Sequence, residues 1–203
     1  MKNNKTPGID GLSAEFFKIF WCKLKYFVQR VLNASYINGI LPLTLRQIII
    51  NCIPKGDKAR HFIKNWRPIS LISVLYKLAS SVIASRIKPI LPKLISGTQT
   101  GFINGRFIGD STRLIYDLMN YADDKRITGL LMLIDFEKAF DSISWQFIYK
   151  TLEHLGFHDG LIKWVKLFNK DIKATVLQVG VMSEFLNIER GCKQGDPLAP
   201  YIF

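Results

Sequence analysis

"GLLMLIDFEKAFDSISW", residues 129–145, decides what kind of fold this sequence specifies. Leu130 to Ile134 are five consecutive apolar residues, and such a run between Gly129 and a polar segment predicts a strand buried on both faces. Asp135 stands at its exit, and Ser142 or Ser144 then opens a helix. Solubility poorly explains a carboxylate at the mouth of a fully apolar strand. Phosphoryl and nucleotidyl transfer do need such groups, to hold Mg²⁺ while substrate phosphates complete its octahedron. Two ions about 3.5–4 Å apart then stabilise the attacking and leaving oxygens. One aspartate cannot hold such a pair. Glu137 and Asp141 are close in sequence, but Asp141 is also a candidate helix cap. Glu137 alternates away from Asp135 if the strand persists.

Working outward, "KATVLQVG" (173–180) and "SEFLNIE" (183–189) predict a paired-strand region, and a helix runs from about Asp159 to Lys170. "RGCKQGDPLAPYIF" (190–203) ends in the start of a further helix. Within it Gly195 permits close backbone approach, and the Gln194 amide can hydrogen-bond a base or sugar, although Gly-Asp-Pro is also an ordinary turn. Upstream, "KTPGIDGL" (5–12) is a turn cluster and Ser13 caps a long helix. Phe17, Phe20, Leu24, Phe27 and Val31 recur there at helical spacing and predict its core face. "RQIIINCIPKG" (46–56) predicts a buried strand and "NWRPISLI" (65–72) a second extended piece. A helix from about Val74 to Leu91, stopped by Pro89 and Pro92, follows. After the glycine-containing loop 98–107, another helix covers roughly 109–122, with Leu114, Ile115, Leu118 and Met119 on its apolar face. Helices interleaved with a few strands predict an α+β fold, with helices packed on a small mixed or antiparallel sheet.

The chain has 203 residues, 48% apolar and 12% aromatic, which supports a folded domain and excludes a disordered tail. No apolar run approaches the roughly 18 residues of a membrane span, and the first eleven residues do not read as a signal peptide. Three distant cysteines suit a reducing compartment, without a disulfide or zinc framework. The net charge is +12 and unevenly placed: residues 1–101 carry sixteen Lys/Arg against three Asp/Glu, residues 102–203 twelve against thirteen. A basic half joined to the half that holds most carboxylates suggests a polyanion grip beside a site that needs acids.

"IDFEKAFDSISW" followed about fifty residues later by "RGCKQGDPLAPYIF" resembles motifs A and B of the reverse transcriptases of LINE-type non-LTR retrotransposons. "KTPGIDGL" resembles the family's motif 0, "IPKGD" and "NWRPISLISVLYK" its motifs 1 and 2, and "QTGFINGR" its motif 2a. Six blocks in order, from residue 5 to residue 203, carry the resemblance. It implies right-hand polymerase-like fingers over residues 1–108 and an incomplete palm over 109–203. It implies an RNA-directed DNA polymerase that uses an RNA template, a DNA primer, dNTP and two Mg²⁺ ions. By the same resemblance Asp135 is a metal ligand, and Lys55 and Arg67 hold the incoming triphosphate. Phe140 screens the sugar 2′ position, and Gln194 and Gly195 lie beside the nascent pair. Lys5, Pro7, Gly8, Asp10, Gly11 and Arg106 face the template. Each has a plainer alternative: Arg67 as a carbonyl cap, Phe140 as core, Lys55 in a solvated turn.

"YADD" (121–124) spells the family's catalytic pair but lies upstream of motif A, at the end of a helical pattern and ahead of Lys125 and Arg126. The family's pair follows motif B, between two apolar strands. We expect Tyr121–Asp124 to be a solvated helix-to-strand connection, and the 203 residues to hold one ligand of a three-carboxylate site. We therefore expect the chain by itself not to polymerise, and to be poorly soluble with apolar strand edges exposed. A non-catalytic RNA-binding remnant, or a sequence without function, is the alternative. His154 and His158, four apart, lack a third ligand and predict a surface helix face. The resemblance implies work in cytoplasm or nucleus, not secretion.

Overall fold

The computed structural model describes residues 1–57 and 59–203. Its first element, α1 (Ala14–Asn38), begins where expected: Ser13 Oγ accepts from Phe16 N at 3.5 Å, and Glu15 sits in the first turn, where the helix dipole favours an acid. Gly39, at φ 66°, closes it by donating to the Ser35 carbonyl. The buried stripe differs from the expected one. Phe17 and Val28 are buried, with Leu24 and Leu32 packed beside them, whereas Phe20 and Phe27 are exposed and Val31 lies at the edge of exposure. A helix apolar on several sides offers more than one stripe, and its packing partners choose between them. Here they are the helix from Val74 and the one from Asp159.

After the short α2 (Leu43–Arg46), β1 (Gln47–Pro54) pairs antiparallel with β2 (Trp66–Leu71), Ile53 opposite Arg67. Ser73 caps α3 (Val74–Ile87) by accepting from Tyr76 N at 3.1 Å. That helix stops four residues before the expected Leu91, since Pro89 cannot donate and its ring crowds the carbonyl four residues back. Pro92 then sits in the first turn of α4 (Leu91–Leu94), where a missing N–H costs nothing. Further helices are α5 (Ile108–Asp124), α6 (Ala139–Ser142), α7 (Trp145–His154) and α8 (Asp159–Asn169). The strands β3 (Lys173–Gln178), β4 (Val181–Met182) and β5 (Leu186–Asn187) follow, and α9 (Ala199–Ile202) is the last element.

The sheet runs β2-β1-β3-β4, with β5 also paired to β3. Strands β1 and β3 are parallel, Ile48 beside Ala174, so the sheet is mixed and the fold is α+β. Its core joins Ile48 and Ala174 to Ile72, Tyr76 and Ile83 around α3, Ile148 and Leu152 of α7, and Val165 and Phe168 of α8.

Two expectations fail here. Leu130 to Ile134 form no strand, and Leu130 is 86% exposed. A strand buried on both faces needs neighbours at both edges and a layer on each side. Among the described residues, none of the strands pairs with this run. Helix α5 forms, but Leu114, Leu118 and Met119 are exposed and no residue of it is buried. The motif 0 segment, by contrast, is tightly seated. A Cβ on Gly8 would lie 2.5 Å from Ser73 N and 2.8 Å from the Ile72 carbonyl carbon. Backbone cannot yield as a side chain does. Gly8→Ala should therefore cost about 1–3 kcal/mol, read as a lower urea midpoint; an unchanged midpoint would show that the N-terminal segment is not packed this way.

Candidate functional site

The β1–β2 register places Arg67 opposite Ile53, and Lys55 stands two residues beyond Ile53. Lys55 lies just past the end of β1, so both cations belong to the one β1–β2 hairpin, Arg67 on its outer strand and Lys55 at the loop end. Arg67 is exposed, and Lys55 Nζ donates to the Lys64 carbonyl at 2.8 Å across the hairpin. Lys55 N donates to Asn65 O at 2.7 Å, and Trp66 Nε1 to Arg60 O at 2.8 Å, so the loop end of the hairpin is braced.

The segment after Asp135 is laced to the one before Gln194. Cys192 N donates to Phe140 O at 2.6 Å, Gly191 N to Ile143 O at 2.8 Å, and Trp145 Nε1 to Gly191 O at 2.9 Å. Gly191 has φ +87°, and a Cβ there would meet Asp141 O at 2.8 Å, so no other residue fits. The chain then reaches the free edge of β2, where Ser70 N donates to Gln194 O at 3.2 Å. A cleft of about 480 Å³ lies inside this frame, lined among others by Ile48, Pro68, Ser70, Asp141, Trp145 and Gln194. Phe140 is half-buried, stacked on Phe203 at 4.1 Å and edge-on to Phe102 at 6.0 Å.

These observations meet in the comparisons with known proteins. Residues 53–203 match the family described as reverse transcriptase (RNA-dependent DNA polymerase). The chain belongs to the reverse transcriptase family. It is 34% identical over 203 residues to the transposon TX1 uncharacterized 149 kDa protein of Xenopus laevis, with 100% of this chain and 15% of that protein covered. It is 30% identical to the retrovirus-related Pol polyprotein from type-1 retrotransposable element R2 of Popillia japonica, covering 97% of this chain and 27% of the relative. The RNA-directed DNA polymerase from mobile element jockey of Drosophila funebris is 26% identical, covering 100% and 22%. These relatives belong to non-LTR retrotransposons, and the chain spans about a quarter of their length or less.

Asp135 of this reverse transcriptase segment is exposed on the irregular stretch before α6. Glu137 and Asp141 are exposed beyond it, and the chain turns through Lys138 at φ 51° between them. Carboxylate oxygens are the right donors for Mg²⁺. Yet among the described residues no three His, Cys, Asp or Glu side chains come together to hold a metal ion. The described residues therefore do not amount to a two-ion site. Tyr121–Asp124 form the last turn of α5 rather than the connection after it, and both aspartates are exposed. His154 and His158 are not on one helix face: His158 precedes α8, and its Nδ1 accepts from Gly160 N at 3.0 Å.

The template-facing candidates divide. Lys5 is exposed and Pro7 half-buried, while the Gly8 backbone is spent on packing against Ser73. Asp10 Oδ1 accepts from Leu12 N at 3.2 Å, and Gly11 N donates to Gly8 O at 3.1 Å, which shapes the turn. Arg106 departs from expectation. Its guanidinium donates to the carbonyls of Pro92, Ile95, Ser96 and Gln99, capping α4 and the loop after it. A planar fork of five donors suits four carbonyls spread over the end of α4 and the loop after it. Arg106→Ala should cost about 1–3 kcal/mol, and Arg106→Lys should recover little of it, since one ammonium cannot span those acceptors. Paired denaturation curves measure both.

Sequence patterns did not single out Tyr76, Lys193, Asp196 or Trp145, which the fold gathers around the 190–198 segment. Lys193 and Asp196 flank the quoted "QG", but no spacing rule ties them to Tyr76. Burial pushes the Cys192 thiol up to about 11, with Lys193 opposing and Asp196 and Asp141 adding to the shift. The folded chain thus keeps a proton that the unfolded chain releases. The associated stability is complete below a pH of about 9.0 and is lost as pH rises towards about 11. At pH 8 iodoacetamide should label exposed Cys22 well before Cys192. Mass spectrometry finding equal labelling would refute the buried placement.

Proposed function

We propose that this chain supplies the nucleotide-gripping and template-facing part of an RNA-directed DNA polymerase, with fingers over residues 1–108 and part of a palm over 109–203. The supporting observation is the β1–β2 hairpin, which carries Arg67 and, just past the end of β1, Lys55, and whose outer strand receives the Gln194 loop. A flexible ammonium and a planar fork on one hairpin grip a triphosphate from two directions. Lys55 exchanges its carbonyl acceptor for a charge-assisted bond to phosphate. Phe140, its ring held by Phe102 and Phe203, screens the sugar 2′ position by bulk. Gln194 and Gly195 bound the nascent pair. Lys5 and the turn of Pro7, Asp10 and Gly11 face the RNA, whose attraction comes from the basic half of the chain. The DNA primer and dNTP complete the partners.

Asp135 is the metal-binding carboxylate in this assignment, and when bound, divalent ions supply charge neutralisation at the transferring phosphorus. Among the described residues no second and third acid join it in a metal-holding group, so the purified chain should bind RNA in a salt-dependent way without extending a DNA primer on it. Mg²⁺-dependent extension by the chain itself, lost on Asp135→Ala, would overturn that expectation. A non-catalytic RNA-binding remnant is the second reading, favoured by the excess of cations in the first half. Salt-dependent binding is common to both. Dependence of function on Asp135 separates them.

A further inference from the structure

Tyr76, Asp196 and the half-buried Lys193 form a polar cluster that the proposed contacts to nucleotide and template leave unexplained. Tyr76 is 1% exposed and Asp196 8%. The Tyr76 hydroxyl donates to Asp196 Oδ2 at 2.9 Å and accepts from Lys193 Nζ at 3.1 Å. Lys193 also donates to Phe168 O at 2.8 Å and Asn169 Oδ1 at 3.4 Å. Those acceptors lie in the last turn of α8, where carbonyls lack intrahelical partners and the dipole favours a cation. The second oxygen of Asp196 accepts from Leu198 N at 3.0 Å. One hydroxyl thus links an ammonium, a carboxylate and three segments of chain.

Burying an ammonium and a carboxylate is costly unless both are bonded, and a well-attested return for that cost is a fixed geometry. What is fixed here is short. Gln194 and Gly195 lie between the two anchors, with nothing else between them. Gln194 O takes the N–H of Ser70, on the strand that carries Arg67. Gly195 has φ +105°, and a Cβ there would stand 3.3 Å from Ser70 O, so the loop is pressed on β2.

We propose that Tyr76, Lys193 and Asp196 are positioning residues that clamp Gln194 and Gly195 against β2 and thereby set the geometry of the nucleotide-side loop. The clamp rests on the polymerase reading for its consequence, and on the hydrogen bonds alone for its existence. Burial, reinforced by Asp196, holds the Tyr76 hydroxyl well above its ordinary range, so it remains a donor.

Tyr76→Phe removes the shared hydroxyl and keeps the ring in the core. In primer extension by the polymerase that carries this segment, it should raise KM for dNTP about five- to tenfold. The primer–template Kd and kcat should move less than about twofold. Lys193→Met should shift KM in the same direction. In the 203-residue chain itself, amide hydrogen exchange at Ser70, residues 193–196 and Leu198 should quicken in Tyr76→Phe while the β1–β3 ladder is unchanged. A merely structural role would lower the melting temperature and speed exchange throughout, with no selective rise in KM. Unchanged exchange at those amides, or KM equal to wild type, overturns the clamp. A wild-type polymerase that extends nothing defeats the polymerase reading instead, and the exchange experiment then decides the clamp by itself.

Discussion

Parallel pairing of β1 with β3 brings Ile48 beside Ala174 and Ile50 beside Val176, and the larger of the two core clusters is built on it. Parallel strands cannot be joined by a tight turn, so the chain must cross over, and here the crossover contains β2 and α3 to α8. Closing so long a connection costs entropy before any contact repays it. Repayment comes from α3 and α8, which lay Tyr76, Ile83, Val165 and Phe168 against the sheet. Two cations fasten the entry to both strands. Arg46 donates to Leu41 O at 2.9 Å and lies 3.8 Å from Asp171, and Lys170 donates to Gly39 O at 3.0 Å. The core therefore draws on both halves of the chain.

That arrangement sorts the positive charge into two populations. Arg106, Lys193 and Arg46 have their donors committed to carbonyls or to a buried hydroxyl, and their charge serves the fold. Arg60, Lys64 and Arg67 stay exposed on the β1–β2 hairpin, with Lys55 held by a single carbonyl bond. Cations of the second kind can meet a polyanion without dismantling structure. The net charge of +12 is thus less informative than where its cations end. Exposed apolar residues line 130–136, α5 and the outer side of α1, and large apolar patches are unusual on a soluble monomer.

Local chemistry determined a good deal. Ser13 and Ser73 mark helix starts because their hydroxyls reach a main-chain N–H three residues on, which needs no tertiary partner. Pro89 and Pro92 punctuate the helix after Val74 for equally local reasons. The order of motifs from Lys5 to Phe203 was legible, and the family follows from it. So was a small sheet with helices packed on it, although whether that sheet is mixed or antiparallel was left to the pairing of β1 with β3.

Tertiary structure decided the rest, because burial is a property of partners. Leu130 to Ile134 have the composition of a doubly buried strand, yet no described strand lies beside them, and composition cannot create one. Helix α1 carried two apolar stripes, and contact with α3 and α8 selected the one through Phe17 and Val28. Arg106 has the residue type of a phosphate contact, but the carbonyls at the end of α4 claim it first. The cluster of Tyr76, Lys193 and Asp196 was illegible for the same reason: its members are up to 120 residues apart, and only the crossover between β1 and β3 brings them within hydrogen-bonding distance.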